Sequence, residues 1–260
     1  MSARLWRWAA AAAFVMVATT AQAGRSCEQK RPDATTVMRA MTLAAHVAEQ
    51  LDATGAQVVV LARMGQDLSQ YGQRYSHMGL AYREGQVWRV AHKLNQCGSA
   101  QASVYRQGLG EFFLDDLFEY QAGAMLLAPD VQARLLTALR ENAQLARLNT
   151  RAYSMVAYPW AQTYQQSNQW ALETLAMAQD PAANSRERAQ AWLRLHGYQP
   201  TTLHLSAFTR LGARMTAANV AFDDHPNEKR FTDRIETVTV DSAFAWLQRS
   251  GFGTTQLAIR

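Results

Sequence analysis

Residues 77–92 read as a β-hairpin. Two β-rich runs, 77–82 and 86–92, flank Glu84-Gly85, and turn residues between such runs mark a tight reversal. Just upstream, Val58-Val59-Val60-Leu61-Ala62 is short, β-branched and wholly apolar, which predicts a buried strand. Helical periods surround these strands. Met38, Met41, Leu43, Ala44, Val47 and Leu51 share one face over residues 33–51. Pro129 suits a first helical turn, and Val131, Leu135, Leu136 and Leu139 continue an amphipathic helix over 130–147. Further helices are expected over 167–179 with Ser167 as cap, over 185–195 ended by Gly197, over 205–216, and from a capping Asp241 to 249. Residues 103–109 read as strand or loop, 125–127 as a short strand, 235–240 as a strand and 222–234 as a surface loop. The fold class is α+β: an antiparallel sheet packed on helices, with additional C-terminal helices.

The first 23 residues read as an export signal. Arg4 and Arg7 precede an apolar core over 9–18, which is too short to span a bilayer, and Ala21-Gln22-Ala23 is a small-x-small cleavage site. A single domain is expected over 24–260, in the periplasm. The formal net charge of +5 loses Arg4 and Arg7 with the leader, and the remaining basic residues are scattered. That excludes the dense basic stripe of a nucleic-acid binder. No later apolar run reaches spanning length. The two cysteines, Cys27 and Cys97, are expected to pair in an oxidising compartment. No metal-binding spacing occurs, and no motif calls for a cofactor.

The candidate chemistry lies in two distant segments. His77 opens one hairpin strand, and a turn centred on Glu84-Gly85 places His92 opposite it, within reach of its ring. A one-residue slip would put the rings on opposite faces. An imidazole is the usual proton acceptor near neutral pH. Ser167 opens a helix, whose N-terminal N–H groups and dipole favour a developing anion. Ser167 is then a candidate nucleophile, His77 its base and His92 the orienting group. Asn168, Gln169, Tyr164 and Trp170 are candidates for oxyanion or substrate contacts. Serine is also a common helix cap, and a lone strand-end histidine is commonly structural. His204 and the run Asp223-Asp224-His225 carry no motif. Trp160, Trp170 and Trp192 read as core.

Ser76-His77-Met78-Gly79-Leu80 with Val90-Ala91-His92 resembles the histidine strand and following polar strand of circularly permuted, NlpC-like papain-fold proteins. There the histidine precedes an Asn-Cys-x-x-aromatic motif at a helix start. Gln166-Ser167-Asn168-Gln169-Trp170 fits that spacing, with serine in the cysteine position. Ala62-Arg63-Met64-Gly65-Gln66-Asp67-Leu68, Ala157-Tyr158-Pro159-Trp160 and the segment 167–173 resemble the exported bacterial family named domain of unknown function 2145. The resemblance implies a papain-like core with a hydrolase site for an amide or ester. The partner would be a small-molecule, peptide or lipid ligand of the cell envelope. The alternative is a catalytically inactive envelope binding or structural protein using the same pocket, because serine is a weaker nucleophile than a thiolate.

Overall fold

The structure is a computed structural model that describes residues 31–115 and 117–260. The leader expected over 1–23 and Cys27 lie outside those residues. Within them the chain is α+β. The strands β1 (Val58–Met64), β2 (His77–Glu84), β3 (Val87–Asn95), β4 (Ala102–Gly108), β5 (Glu119–Leu127) and β8 (Gly253–Ile259) form one sheet. Its order is β4-β3-β2-β1-β5-β8, antiparallel throughout. Two short strands, β6 (Thr201–His204) and β7 (Arg234–Thr237), pair separately. No helix among the described residues is long and apolar enough to cross a membrane.

Every residue of β1 is buried, because helices cover both faces of the sheet. On one face α1 (Ala34–Thr54) and α2 (Leu109–Phe113) pack against Val59, Leu61, Ala81, Val90 and Ala124. On the other, α3 (Pro129–Arg140), α5 (Ser167–Gln179), α6 (Arg186–Leu195) and α9 (Val240–Ser250) pack against Val60, Ala62, Met78, Leu80 and Ala91. The period-2 alternation of strand side chains sends neighbouring residues to different cores.

Several elements depart from the sequence expectation. The helix expected over 130–147 breaks at Glu141, whose backbone is extended, into α3 and α4 (Asn142–Arg147). Arg106 on β4 sits at the break, donating to Leu139 O and to the Asn142 side chain. It supplies a partner for a helix-end carbonyl that would otherwise be orphaned. The C-terminal part is not purely helical: β6, β7 and β8 lie within it. Residues 222–234 are not simply a surface loop. Phe222 packs with Leu205 and Ile235 in a small separate core, His225 is buried, and α8 (Asn227–Arg230) follows. Thr239, not Asp241, caps α9. Asp241 Oδ2 instead accepts from the backbone N–H groups of Arg74 and Tyr75.

Helix α5 runs through the interior, buried from Ser167 to Met177. Its Glu173 is wholly enclosed and bonded to Arg186 Nε at 2.9 Å, Gln190 Nε2 at 2.7 Å and Gln165 Nε2 at 2.5 Å. Arg186 also donates to the carbonyls of Ala161, Gln162 and Tyr164. It therefore fixes the segment that delivers the chain to Ser167.

The network extends to Lys93 on β3, whose Nζ donates to Thr150 O at 2.5 Å and Gln165 Oε1 at 2.7 Å. Burial first, then the Arg186 charge, push the Lys93 ammonium down to about 7, against the pull of Glu173. In the unfolded chain the same lysine keeps its proton to about pH 10. Between about pH 7 and 10 the unfolded state therefore holds more protons than the native state. Stability should rise with pH there, by at most ~1.4 kcal/mol per pH unit. Lys93→Met is expected to flatten that slope in urea midpoints taken across this range. An unchanged slope would rule Lys93 out as its source.

Candidate functional site

The hairpin closes one residue later than its composition suggested. Glu84 pairs with Val87, so the two-residue loop is Gly85-Gln86. Gly85 takes φ +63°, the left-handed conformation such loops require and glycine tolerates. Moving the turn centre by one residue moves the register by two. The observed pairs run from Glu84↔Val87 to Leu80↔Ala91, and the same register sets Gly79, not His77, opposite His92. Parity is preserved, so both histidines still share a face. Gly79 makes their diagonal contact possible. A Cβ there would meet Val90 Cγ1 at 2.6 Å and His92 Cβ at 3.0 Å. The space left by the missing side chain lets His77 Nε2 reach His92 Nδ1 at 2.9 Å.

A third member completes the row. Gln107 on β4 meets His92 Nε2 through Oε1 at 2.7 Å. An amide oxygen only accepts, so His92 Nε2 carries the proton and His92 Nδ1 accepts from His77 Nε2–H. The lone pair of a neutral His77 then falls on Nδ1. His92 is fully enclosed. Burial first, then the Arg63 charge, hold its pKa down to about 3, against the raising effect of the Gln107 bond. His92 is therefore neutral at physiological pH. Phe112 packs on both rings, with centroids 5.9 Å from His77 and 5.2 Å from His92. Arg63, paired with His77 across β1 and β2, donates to Phe112 O and forms an ion pair with Asp115.

Contact with Phe112 puts the histidine rings on the sheet face covered by α1 and α2. The body of α5 covers the opposite face. The two sides meet at the end of the sheet, in a cleft of about 950 Å³ lined by His77, Ser76, Arg63, Gln107, Tyr153 and Ser167, among others. Ser167 is the first residue of α5, and Gln166 holds the cap position without a side-chain cap bond. The expected serine cap is thus absent, and among the described residues the cap position brings no side chain to the opening N–H groups of the helix. Gln166 instead donates to Thr237 Oγ1 and Val238 O. The Tyr153 phenol is raised by burial, with its hydrogen bond to Ser167 pulling the other way.

The proposed contact residues serve mainly to hold this arrangement. Asn168 Oδ1 accepts from Met78 N at 3.0 Å, pinning the helix start to the residue after His77. Gln169 Nε2 donates to Pro159 O at 3.0 Å. Trp170 lies in the core with its indole N–H on Leu145 O. The Tyr164 hydroxyl donates to Asp223. None of these four lines the cleft. Of the residues without a motif, His225 packs between Asp224 Oδ1 and Glu236 O, each at 3.0 Å, and His204 meets Asp233 at 3.2 Å on the surface.

Gln107, Arg63, Phe112 and Tyr153 were not identified from sequence. The alternation Ser103, Tyr105, Gln107 along β4 was the available signal for a polar strand face. Among the described residues no cysteine is free. Cys97 lies on the cleft rim, and its expected partner Cys27 falls outside those residues.

No curated protein and no solved structure matches the chain. A family model described as "uncharacterized protein conserved in bacteria (DUF2145)" matches residues 50–247, most of the chain and the whole of the cleft's histidine row and helix start, and the chain belongs to that family.

Proposed function

We propose that the cleft hydrolyses an amide or ester, with Ser167 as nucleophile, His77 as base and His92 as orienting group. The observation that carries this reading is the row His77–His92–Gln107, ending in a cleft that Ser167 also lines. The bond from Met78 N to Asn168 keeps the two segments adjacent. In the reaction Ser167 Oγ–H gives its proton to His77 Nδ1 while Oγ bonds to the substrate carbonyl carbon. The opening N–H groups of α5 stabilise the oxyanion. His77 returns the proton to the leaving group as the carbonyl–leaving-group bond breaks. Water then releases the acyl group from Ser167 by the same route. Gln107 fixes the tautomer of His92, which fixes that of His77.

A helix bearing the nucleophile after the histidine strand in sequence supports a permuted papain-like arrangement. Export through a leader over 1–23, with a Cys27–Cys97 bridge, belongs to the same reading. Pro32 and Cys97 line one cleft. Cys27 stands five positions before Pro32 in the sequence, which supports the pairing.

One observation favours a binding protein instead. The ring that holds His77 Nε2 is a histidine kept neutral by burial and by the Arg63 charge, and a neutral ring brings no negative charge to the proton transfer. A fluorophosphonate probe separates the readings. Covalent labelling of the wild-type protein that disappears in Ser167→Ala supports the hydrolase. An unlabelled wild type leaves the binding reading standing.

A further inference from the structure

Residues 216–219, the end of α7 (Ala207–Thr216) and the turn after it, line the cleft. The turn is clamped to the body of the protein. Met155 N donates to Asn219 O at 2.8 Å. The buried Ser154 hydroxyl donates to Ala221 O at 2.9 Å and accepts from Ala221 N at 3.1 Å. The Asn219 side chain meets that of Asn95, the last residue of β3, the strand that carries His92. Backbone carbonyls settle which way both amides face. Asn95 Nδ2 donates to Ser99 O at 2.7 Å and to Gln101 O at 2.8 Å. A carbonyl only accepts, so that end of Asn95 is the nitrogen, and Oδ1 is the atom turned to Asn219. The Asn219 atom 3.0 Å away is then Nδ2. Asn219 Oδ1 is left over: it takes no hydrogen bond from the described residues, while Asn219 lines the same cleft as His77 and Ser167. The cleft thus holds a fixed, uncharged acceptor that neither the histidine row nor the nucleophile uses.

We propose that Asn219 Oδ1 accepts the N–H of a scissile secondary amide and so suits the cleft to amides over esters. The inference rests on the hydrolase reading and deepens it by naming the bond that is cut. An amide and an ester differ at the leaving atom. The amide nitrogen carries a hydrogen, and its lone pair is tied up in resonance with the carbonyl. Attack by Ser167 Oγ ends that resonance and leaves the nitrogen pyramidal. Its lone pair must then face His77 to collect the proton taken from Ser167, before the carbon–nitrogen bond breaks. The amine leaves with its own hydrogen and that proton. An acceptor on the N–H holds the nitrogen turned the right way. An ester oxygen has no hydrogen to offer, so it gains nothing from Asn219 Oδ1. The bond forms fully only once the nitrogen has turned, so it lowers the barrier rather than tightening binding. The clamps at Met155, Ser154 and Asn95 keep the acceptor in place, which such a role requires.

The test compares wild type with Asn219→Leu on three probes: N-acetyl-alanine p-nitroanilide, its N-methyl anilide and the matching p-nitrophenyl ester. Each probe is its own reference, so their different intrinsic reactivities cancel. On the anilide, Asn219→Leu should lower kcat by about tenfold with KM little changed. On the ester and on the N-methyl anilide, neither of which has an N–H at the leaving atom, the two proteins should agree within about twofold. Those two probes also report folding, because a displaced cleft wall or an unfolded variant lowers all three rates together. Equal losses on all three probes would overturn the inference and leave the hydrolase reading intact, as would a wild type that cuts the ester but neither anilide. A wild type that cuts none of the three and resists the fluorophosphonate would overturn the hydrolase reading and this inference with it.

Discussion

Ser167→Ala is expected to reduce hydrolysis of p-nitrophenyl esters by about a thousandfold or more, and His77→Ala to match it. Members of a nucleophile–base unit fail together, because each is useless without the other. The stability cost of Ser167→Ala should be small. Ser167 does not cap its helix, so the change removes a small hydroxyl without removing a cap, at a cost of about 1 kcal/mol or less. His92→Ala should retain more activity, with a loss of about 10- to 100-fold. A neutral His92 orients His77 without lending it charge, and water can take over part of that task. Ser167→Cys is the sharper variant. A thiol at that helix start, in the cleft that His77 also lines, should ionise near neutral pH and react with iodoacetamide faster than a surface cysteine if His77 serves as its base. If that thiol reacts at an ordinary rate and wild type turns over no ester, the hydrolase reading is lost and the cleft is a binding site.

What the sequence revealed followed the strength of its periodicities. The apolar run at 58–62 and the six-residue face over 33–51 stand out, because burial on a continuous face leaves a clear pattern, although Met38 and Met41 of that face are exposed. The hairpin was legible, but its register was not. Glu84-Gly85 and Gly85-Gln86 differ only in where a positive φ must fall, and the glycine decides that at the first loop position. The histidine pair survived the error because a two-residue shift keeps the face. Strand β8 was invisible because it is an edge: most of Gly253–Ile259 is exposed, so it carries no apolar alternation. The segment 222–234 looked solvated because Phe222 finds its partners, Leu205 and Ile235, in distant or flanking residues rather than within its own period. Gln107 had only the polar alternation of β4 as a signal. Its role comes from being one strand away from His92, which only the completed sheet reveals.

Glu173→Ala should destabilise the fold by about 3–5 kcal/mol, the cost of leaving one member of a buried pair uncompensated. Burial holds the Glu173 carboxyl above its ordinary value even with Arg186 beside it. The pair is thus strongly desolvated, and its net contribution over an apolar pair is small. Removing one partner is a different matter. Arg186 would keep its charge in an enclosed site, and the Gln165 and Gln190 amides would each lose one of their two acceptors. The damage should reach the cleft, because Arg186 also holds the carbonyls of 161, 162 and 164 just before Ser167. Replacing both partners with apolar residues, Glu173→Leu with Arg186→Met, should recover a large part of the stability, since no buried charge is then left alone. It should not recover function, because Arg186 would no longer hold the carbonyls of 161, 162 and 164. Chemical denaturation of the three variants reads the first effect, and probe labelling at Ser167 reads the second. A double variant no more stable than Glu173→Ala would show that the cost lies in packing rather than in the orphaned charge. A double variant that labels like wild type would show that α5 holds Ser167 in place without help from Arg186.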